Sequence, residues 1–210
     1  MKEVYASEDL VDASTLASMM TRNNRSSSWR IIIHLSCLVL TLFLCNLAWR
    51  SLWLYPLIVL LGFLLATLFA PFHECTHRTA FSSGRLNILV CVITGTLIGF
   101  SWSAYRVFHF AHHAYTQDPD HDPEILLDPF KLGVWPDTFM TWCSRLSGVG
   151  YLRLKLSGFV NCWRPGYVDG FASSSAKAKR ETRSMSLFWL SVMISSPYYS
   201  DIFVPLLGGF

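Results

Sequence analysis

Two apolar stretches near the N-terminus leave this chain few folds to choose from. Residues 31–49 are interrupted only by His34, Asn46 and small hydroxyls, and residues 52–72 contain no charge at all. Each run is about 20 residues long, enough for a helix to cross a hydrocarbon core of about 30 Å. Backbone groups inside lipid have no water to bond to, so such runs cross as helices. Only Arg50 and Ser51 separate the two runs. The expectation is a tight transmembrane hairpin with both far ends on one side of the bilayer. Trp29, Trp49, Trp53 and Tyr55 fall near the expected interfaces, where amphipathic rings settle.

Composition agrees with a membrane setting. The chain is 52% hydrophobic and only 15% charged, against about a quarter charged in an ordinary soluble domain. Its 210 residues suit one domain. Residues 1–29 are polar and serine-rich with no early apolar stretch, which reads as a mobile cytosolic tail and not a cleaved signal peptide. Residues 30–210 then form the membrane domain, and the expected fold class is all-α. Lysine and arginine set its orientation. Four fall in residues 1–30, twelve in residues 73–184, and Arg50 stands alone between the spans. The positive-inside bias makes the side holding the N-terminus and residues 73–184 cytoplasmic. The six cysteines form no CxxC pair and read as reduced thiols.

The remaining segments read as interfacial pieces. Residues 86–100 are apolar but short, with Gly95 and Gly99, which suits a re-entrant or interfacial segment. Residues 149–160 place Val149, Leu152, Leu156, Phe159 and Val160 at helical spacing, with Arg153 and Lys155 between them. That pattern fits an amphipathic helix on the bilayer or an ordinary surface helix. Residues 169–184 read as a polar basic linker. A last apolar run starts near Met185 and is interrupted by Pro197 and Asp201, which reads as a partial C-terminal span.

The chemistry is concentrated in histidine. Five of the seven histidines lie in two words, HECTH (His73, His77) and HFAHH (His109, His112, His113). Positions i, i+3 and i+4 are neighbours on a helix, so each word presents imidazoles on one face. Clustered histidines read as metal or catalytic sites, and imidazole suits zinc, copper and iron. If residues 86–100 crossed the bilayer, the clusters would lie on opposite sides and could not share a site. HECTH also matches HExxH, in which two histidines bind zinc and Glu74 is the general base of a protease. A non-catalytic membrane protein that binds no iron is the remaining alternative. Glu74, Asp118, Asp120 and Asp122 are candidates to orient metal-bound imidazoles, with Asp118 preferred, and Asp120 and Glu124 are read as solvated turn residues. His121 reads as a surface residue and His34 as a helix-packing or interfacial one. Trp102, Tyr105 and Phe108 are either core aromatics or the lining of an acyl tunnel.

The words HECTHRTAFSSGRLN and HFAHHAYTQDPDHDPE resemble the membrane fatty-acid desaturase superfamily, especially its bacterial-type members, over roughly residues 30–210. The resemblance implies HxxxH and HxxHH boxes facing the cytoplasm. It implies two non-haem iron ions ligated by His73, His77, His109, His112 and His113, and O2-dependent insertion of a double bond into a fatty acyl chain. Membrane hydroxylases and ketolases share these boxes, so they stay as alternatives. The family's third box, [HQ]xxHH, has no counterpart here, and His34 and His121 cannot supply it. The ligand set for two irons is therefore incomplete. The 210 residues alone are expected to be inactive, as a truncated or degenerate form, unless a second chain completes the site. The expected partners are the lipid bilayer, a fatty acyl substrate and an external electron donor (ferredoxin, rubredoxin or cytochrome b5). The chain shows no flavin fingerprint, CxxC cluster or HPGG haem signature. No nucleic-acid partner is expected.

Overall fold

The computed structural model describes residues 12–126, 136–165 and 175–195, and within these it is built of helices without strands. Helix α1 spans Ala13–Met19 and α2 spans Asn24–Leu47. The segment read as a tail thus carries a helix, and the first span starts several residues before its apolar run. The local signals are capping residues. Asp12 accepts from Ser14 N and Thr15 N at the start of α1, and Asn23 accepts from Arg25 N at 2.9 Å at the start of α2.

After a turn with Arg50 in the left-handed region (φ 68°), α3 (Leu54–Thr67) runs back against α2 and continues into α4 (Phe69–His77). Pro71 explains the break between α3 and α4. It lacks the N–H that Thr67 O would accept, and its ring crowds that carbonyl. Leu68 N bonds back to Leu65 O at 3.1 Å, leaving Leu64 O free of its usual partner. His34 Nε2 on α2 donates to that carbonyl at 2.9 Å. His34 is therefore a helix-packing residue, bound at the break. Taken together, Asn24–Leu47 and Leu54–His77 are long and apolar enough to cross a membrane, with mean hydropathy 2.0 and 2.2. Twenty-four residues give about 36 Å of helix, about one turn longer than a hydrocarbon core of about 30 Å. Large side chains such as Ile33, Val39, Phe43, Val59 and Phe63 are exposed around the hairpin, as a lipid-facing surface requires.

Helix α5 (Gly84–Leu97) packs against α4. Phe72, Cys75 and Thr76 meet Val90, Cys91 and Gly95, and the Thr76 hydroxyl lies 3.3 Å from Cys91 Sγ. Buried Asn87 bonds the backbone of Phe81 at both N and O and also bonds Ser83 O, which shapes the loop after the first box. All described cysteines are free thiols.

The segment read as interfacial turns sharply. Helix α6 (Trp102–Tyr115) leaves α5 at 99°. Gly99, at φ 71°, makes the corner, a conformation that disfavours any side chain. The helix ends at this elbow expose backbone groups, and later elements satisfy them. Short helix α7 (Pro123–Leu126) follows α6, then α8 (Phe139–Leu146), α9 (Val149–Asn161) and α10 (Ala176–Ser195). Tyr151 OH donates to Ile98 O at 2.8 Å and Lys155 Nζ to Gly99 O at 2.8 Å. From α10, Trp189 Nε1 donates to Thr96 O at 3.0 Å. Glu181 Oε2 accepts from Ser101 Oγ, Ser103 N and Ser103 Oγ, each at 2.8 Å.

Two expectations need correction here. Residues 176–184, read as linker, are the first half of α10, where Glu181 bonds Ser101 and Ser103 at the elbow. Lys155, read as part of the polar face of α9, points inward, with its ammonium 3.3 Å from the Phe100 ring centroid. The outward stripe is Val149, Leu152, Leu156 and Val160, which matches the bilayer-facing alternative. The breaks expected at Pro197 and Asp201 lie outside the described residues.

Two outcomes follow. A Cβ on Gly95 would lie 2.6 Å from Phe100 O and 2.8 Å from the Phe72 ring, while nothing lies within 4 Å of one on Gly84. Gly95→Ala is expected to destabilise by about 1–3 kcal/mol and Gly84→Ala to be near neutral, read by thermal unfolding in detergent. Burial pulls the Lys155 pKa from 10.5 down to about 7. The folded state then holds fewer protons than the unfolded state between those values, so stability rises with pH across that window. Below it the fold bears the full cost of the buried charge. Lys155→Met is expected to flatten that rise, measured as denaturant midpoint against pH.

Candidate metal centre

The elbow returns α6 across the end of α4. Each box is helical, as its spacing requires, with His73 and His77 one turn apart on α4 and His109 and His113 one turn apart on α6. One ligand nitrogen from each of these four lies within 4.8 Å of all the others. The closest pairs are His77 Nε2 to His109 Nε2 at 2.8 Å and His113 Nε2 to His109 Nε2 at 3.0 Å. Ring centroids of His73 and His109 are 4.5 Å apart. Nitrogens on a shared ion with bonds of about 2.0–2.1 Å sit about 2.9–3.4 Å from one another. The donor set fits a borderline-soft cation such as iron or zinc. Four imidazoles on one tetrahedral zinc leave no position for the water a protease activates.

His112 stands apart from this group. Its ring centroid is 6.2 Å from that of His109, and its Nδ1 is bonded to Asp122 Oδ1 at 2.9 Å, with Glu124 Oε2 at 3.6 Å. That bond leaves Nε2 as its free nitrogen. Asp122 is 1% exposed and also accepts from Gln117 N and Glu124 N. Burial acts to raise its pKa, and these hydrogen bonds outweigh burial and hold it below the ordinary carboxylate value. Asp118, preferred from the sequence, instead bonds His121 at 3.0 Å and Asp120 N at 2.9 Å. His121 is exposed and stacks on Tyr115. Glu74 is exposed, bonded to Thr79 Oγ1 at 2.8 Å, with Oε1 3.4 Å from His73 Nδ1.

Two supporting side chains were not legible as such. Tyr105 is buried and stacks on His109 with ring planes 11° apart, its hydroxyl 3.4 Å from Nδ1. The i−4 spacing was the available signal. Trp102 is likewise buried and Phe108 partly so, on the core reading for these aromatics. Arg106 reaches from α6 to Thr76 O and lies 4.4 Å over the Phe110 ring. Its guanidinium therefore clamps the C-terminal end of α4, where a cation is favoured, beside the residue preceding His77.

A family model described as fatty acid desaturase matches residues 50–210. The chain belongs to the fatty acid desaturase family. Dihydrorhizobitoxine desaturase from Bradyrhizobium elkanii is 37% identical to this desaturase-family chain over 79 residues, 36% of the chain and 22% of that protein. The match therefore spans about a fifth of that relative's length. No solved structure matches.

Partners that orient metal-bound histidines usually change metal affinity by about 10–100-fold when removed. Asp122→Asn is expected to weaken iron or zinc binding by that factor, measured by chelator competition. Asp118→Asn, whose carboxylate faces His121, is expected to leave binding unchanged.

Proposed function

We propose that this chain is part of a membrane desaturase that introduces a double bond into a fatty acyl chain in lipid metabolism. The convergence of His73, His77, His109 and His113 within 4.8 Å carries this reading, together with family membership. His112 completes the proposed ligand set, presenting Nε2 while Asp122 fixes its tautomer. His73, His77, His109 and His113 would hold non-haem iron, which would supply O2-dependent oxidation of an unactivated alkyl chain. Four imidazoles meet the needs of one ion, and a second ion requires donors beyond them.

The protein's own groups prepare that site. Imidazoles carry no negative charge, so a bound cation stays electrophilic. Tyr105 and Arg106 hold the two boxes in register. An aromatic wall borders the cluster, with the Phe69 ring 6.1 Å from His73 and 5.7 Å from Tyr105. Phe69 is 40% exposed, so this wall offers an alkyl chain an apolar approach. Electrons come from an external ferredoxin, rubredoxin or cytochrome b5. The N-terminus and both boxes face the cytoplasm, on the charge bias given above.

The test is expression of the full chain in a host lacking the product, with iron content measured in the membrane fraction and acyl chains profiled by gas chromatography and mass spectrometry. Iron retention lost in His109→Ala, with a product two hydrogens lighter and no added oxygen, supports the proposal. A product carrying oxygen makes it a hydroxylase or ketolase. Iron-loaded protein whose acyl chains stay unchanged even when a second chain supplies the missing histidine donors counts against desaturation. Zinc retention with peptide cleavage abolished by Glu74→Gln replaces it with a protease.

A further inference from the structure

A cavity lies away from the histidines, where α5, the start of α6 and α10 meet. Its volume is about 330 Å³, and its lining includes Val92, Thr96, Trp102, Lys177, Arg180 and Met185. That volume falls within the range of about 300–1,000 Å³ typical of small-molecule sites. The cavity is two-faced. Val92 and Met185 make an apolar end, and Val92 continues into Leu89 and Ile93, which are exposed on the α5 surface. Lys177 and Arg180, one helical turn apart, make a cationic end.

The charges there are unevenly committed. Glu181 also lines the cavity and keeps its charge, with Oε2 held by Ser101 and Ser103 at the N-terminus of α6, where an anion is favoured. Arg183 is taken by Cys162 O at 2.8 Å and by the Trp163 ring. Lys177 lies 4.2 Å over the Trp102 ring, a contact that positions the ammonium without neutralising it. Arg180 is exposed and has no partner among the described residues. Lys177, Lys179, Arg180 and Arg183 directly precede the apolar half of α10, the pattern of basic residues that attracts anionic lipid at a membrane surface.

We propose that this cavity binds an anionic phospholipid, with its phosphate on Lys177 and Arg180 and its acyl chain along Val92, Thr96 and Met185. A free phosphate would leave the apolar end wetted. A zwitterionic headgroup would set its own cation beside two others. The site stands on the α5–α6–α10 junction alone and does not depend on the metal or on desaturation.

The test uses the full chain in non-ionic detergent and native mass spectrometry with phosphatidylglycerol or phosphatidylcholine of identical acyl chains. Phosphatidylglycerol is expected to be retained about tenfold or more over phosphatidylcholine. The double variant Lys177→Gln, Arg180→Gln is expected to lower retention to the phosphatidylcholine level, with its lipid-free melting temperature and metal content unchanged. Millimolar inorganic phosphate is expected to leave the adduct intact. A photoreactive phosphatidylglycerol on the unaltered chain is expected to label residues 92–102 and 177–185, which keeps the test independent of variant folding. Equal retention of both lipids, an adduct that survives in a folded double variant, displacement by phosphate, or labelling confined to other segments each overturns the proposal.

Discussion

The turn between α5 and α6 is the constraint from which the rest of the structure follows. A 99° change of direction over four residues ends one helix and starts another at a site close to lipid, where unpaired backbone groups are costly. The carbonyls of Thr96, Ile98 and Gly99 and the amide of Ser103 are bonded by side chains from α9 and α10. These late helices are therefore braces for the corner. Without the corner, α6 would continue across the bilayer and its histidines would leave from the far side.

The same corner organises the aromatic layer beneath the cluster. Phe100 packs on Phe69, Phe72 and Tyr105, and Tyr105 stacks on His109. A displacement at the elbow is passed to the imidazoles through rings that have little room to slide, since protein interiors are close-packed. Arg106 adds a polar link between α4 and α6. Helices α4 and α6 are thus held at the separation at which four imidazole nitrogens lie within 4.8 Å of one another.

Much of this was legible in the sequence because it is local. Charge-free runs of helical length marked the hairpin, and i, i+3, i+4 spacing marked both boxes. What escaped depends on contacts between distant segments. Glu181 sits in a stretch whose composition reads as linker, and its role appears only when Ser101 and Ser103, about eighty positions earlier, come within reach. Lys155 looks like a surface charge until the open carbonyl at Gly99 draws it inward. The choice between Asp118 and Asp122 rested on the turn after α6, where Gln117 adopts a left-handed conformation (φ 67°) and carries Asp122 back beneath His112. His112 itself faces that carboxylate, which no helical wheel could separate from its neighbour His113.

The first helices bear on where the functional unit begins. Arg22 donates to Arg78 O at 2.9 Å, Ser27 to Ala80 O, and Asn24 accepts from Ser83 N at 3.1 Å. All three bonds fall on the loop that leaves the first box, while His34 closes the gap at the Pro71 break. The family match starts at residue 50, so a protein trimmed to that boundary would shed every one of these supports and one half of the hairpin. Residues 22–34, upstream of the matched domain, brace the loop that leaves the first box and the Pro71 break, and any minimal version of this protein has to keep them.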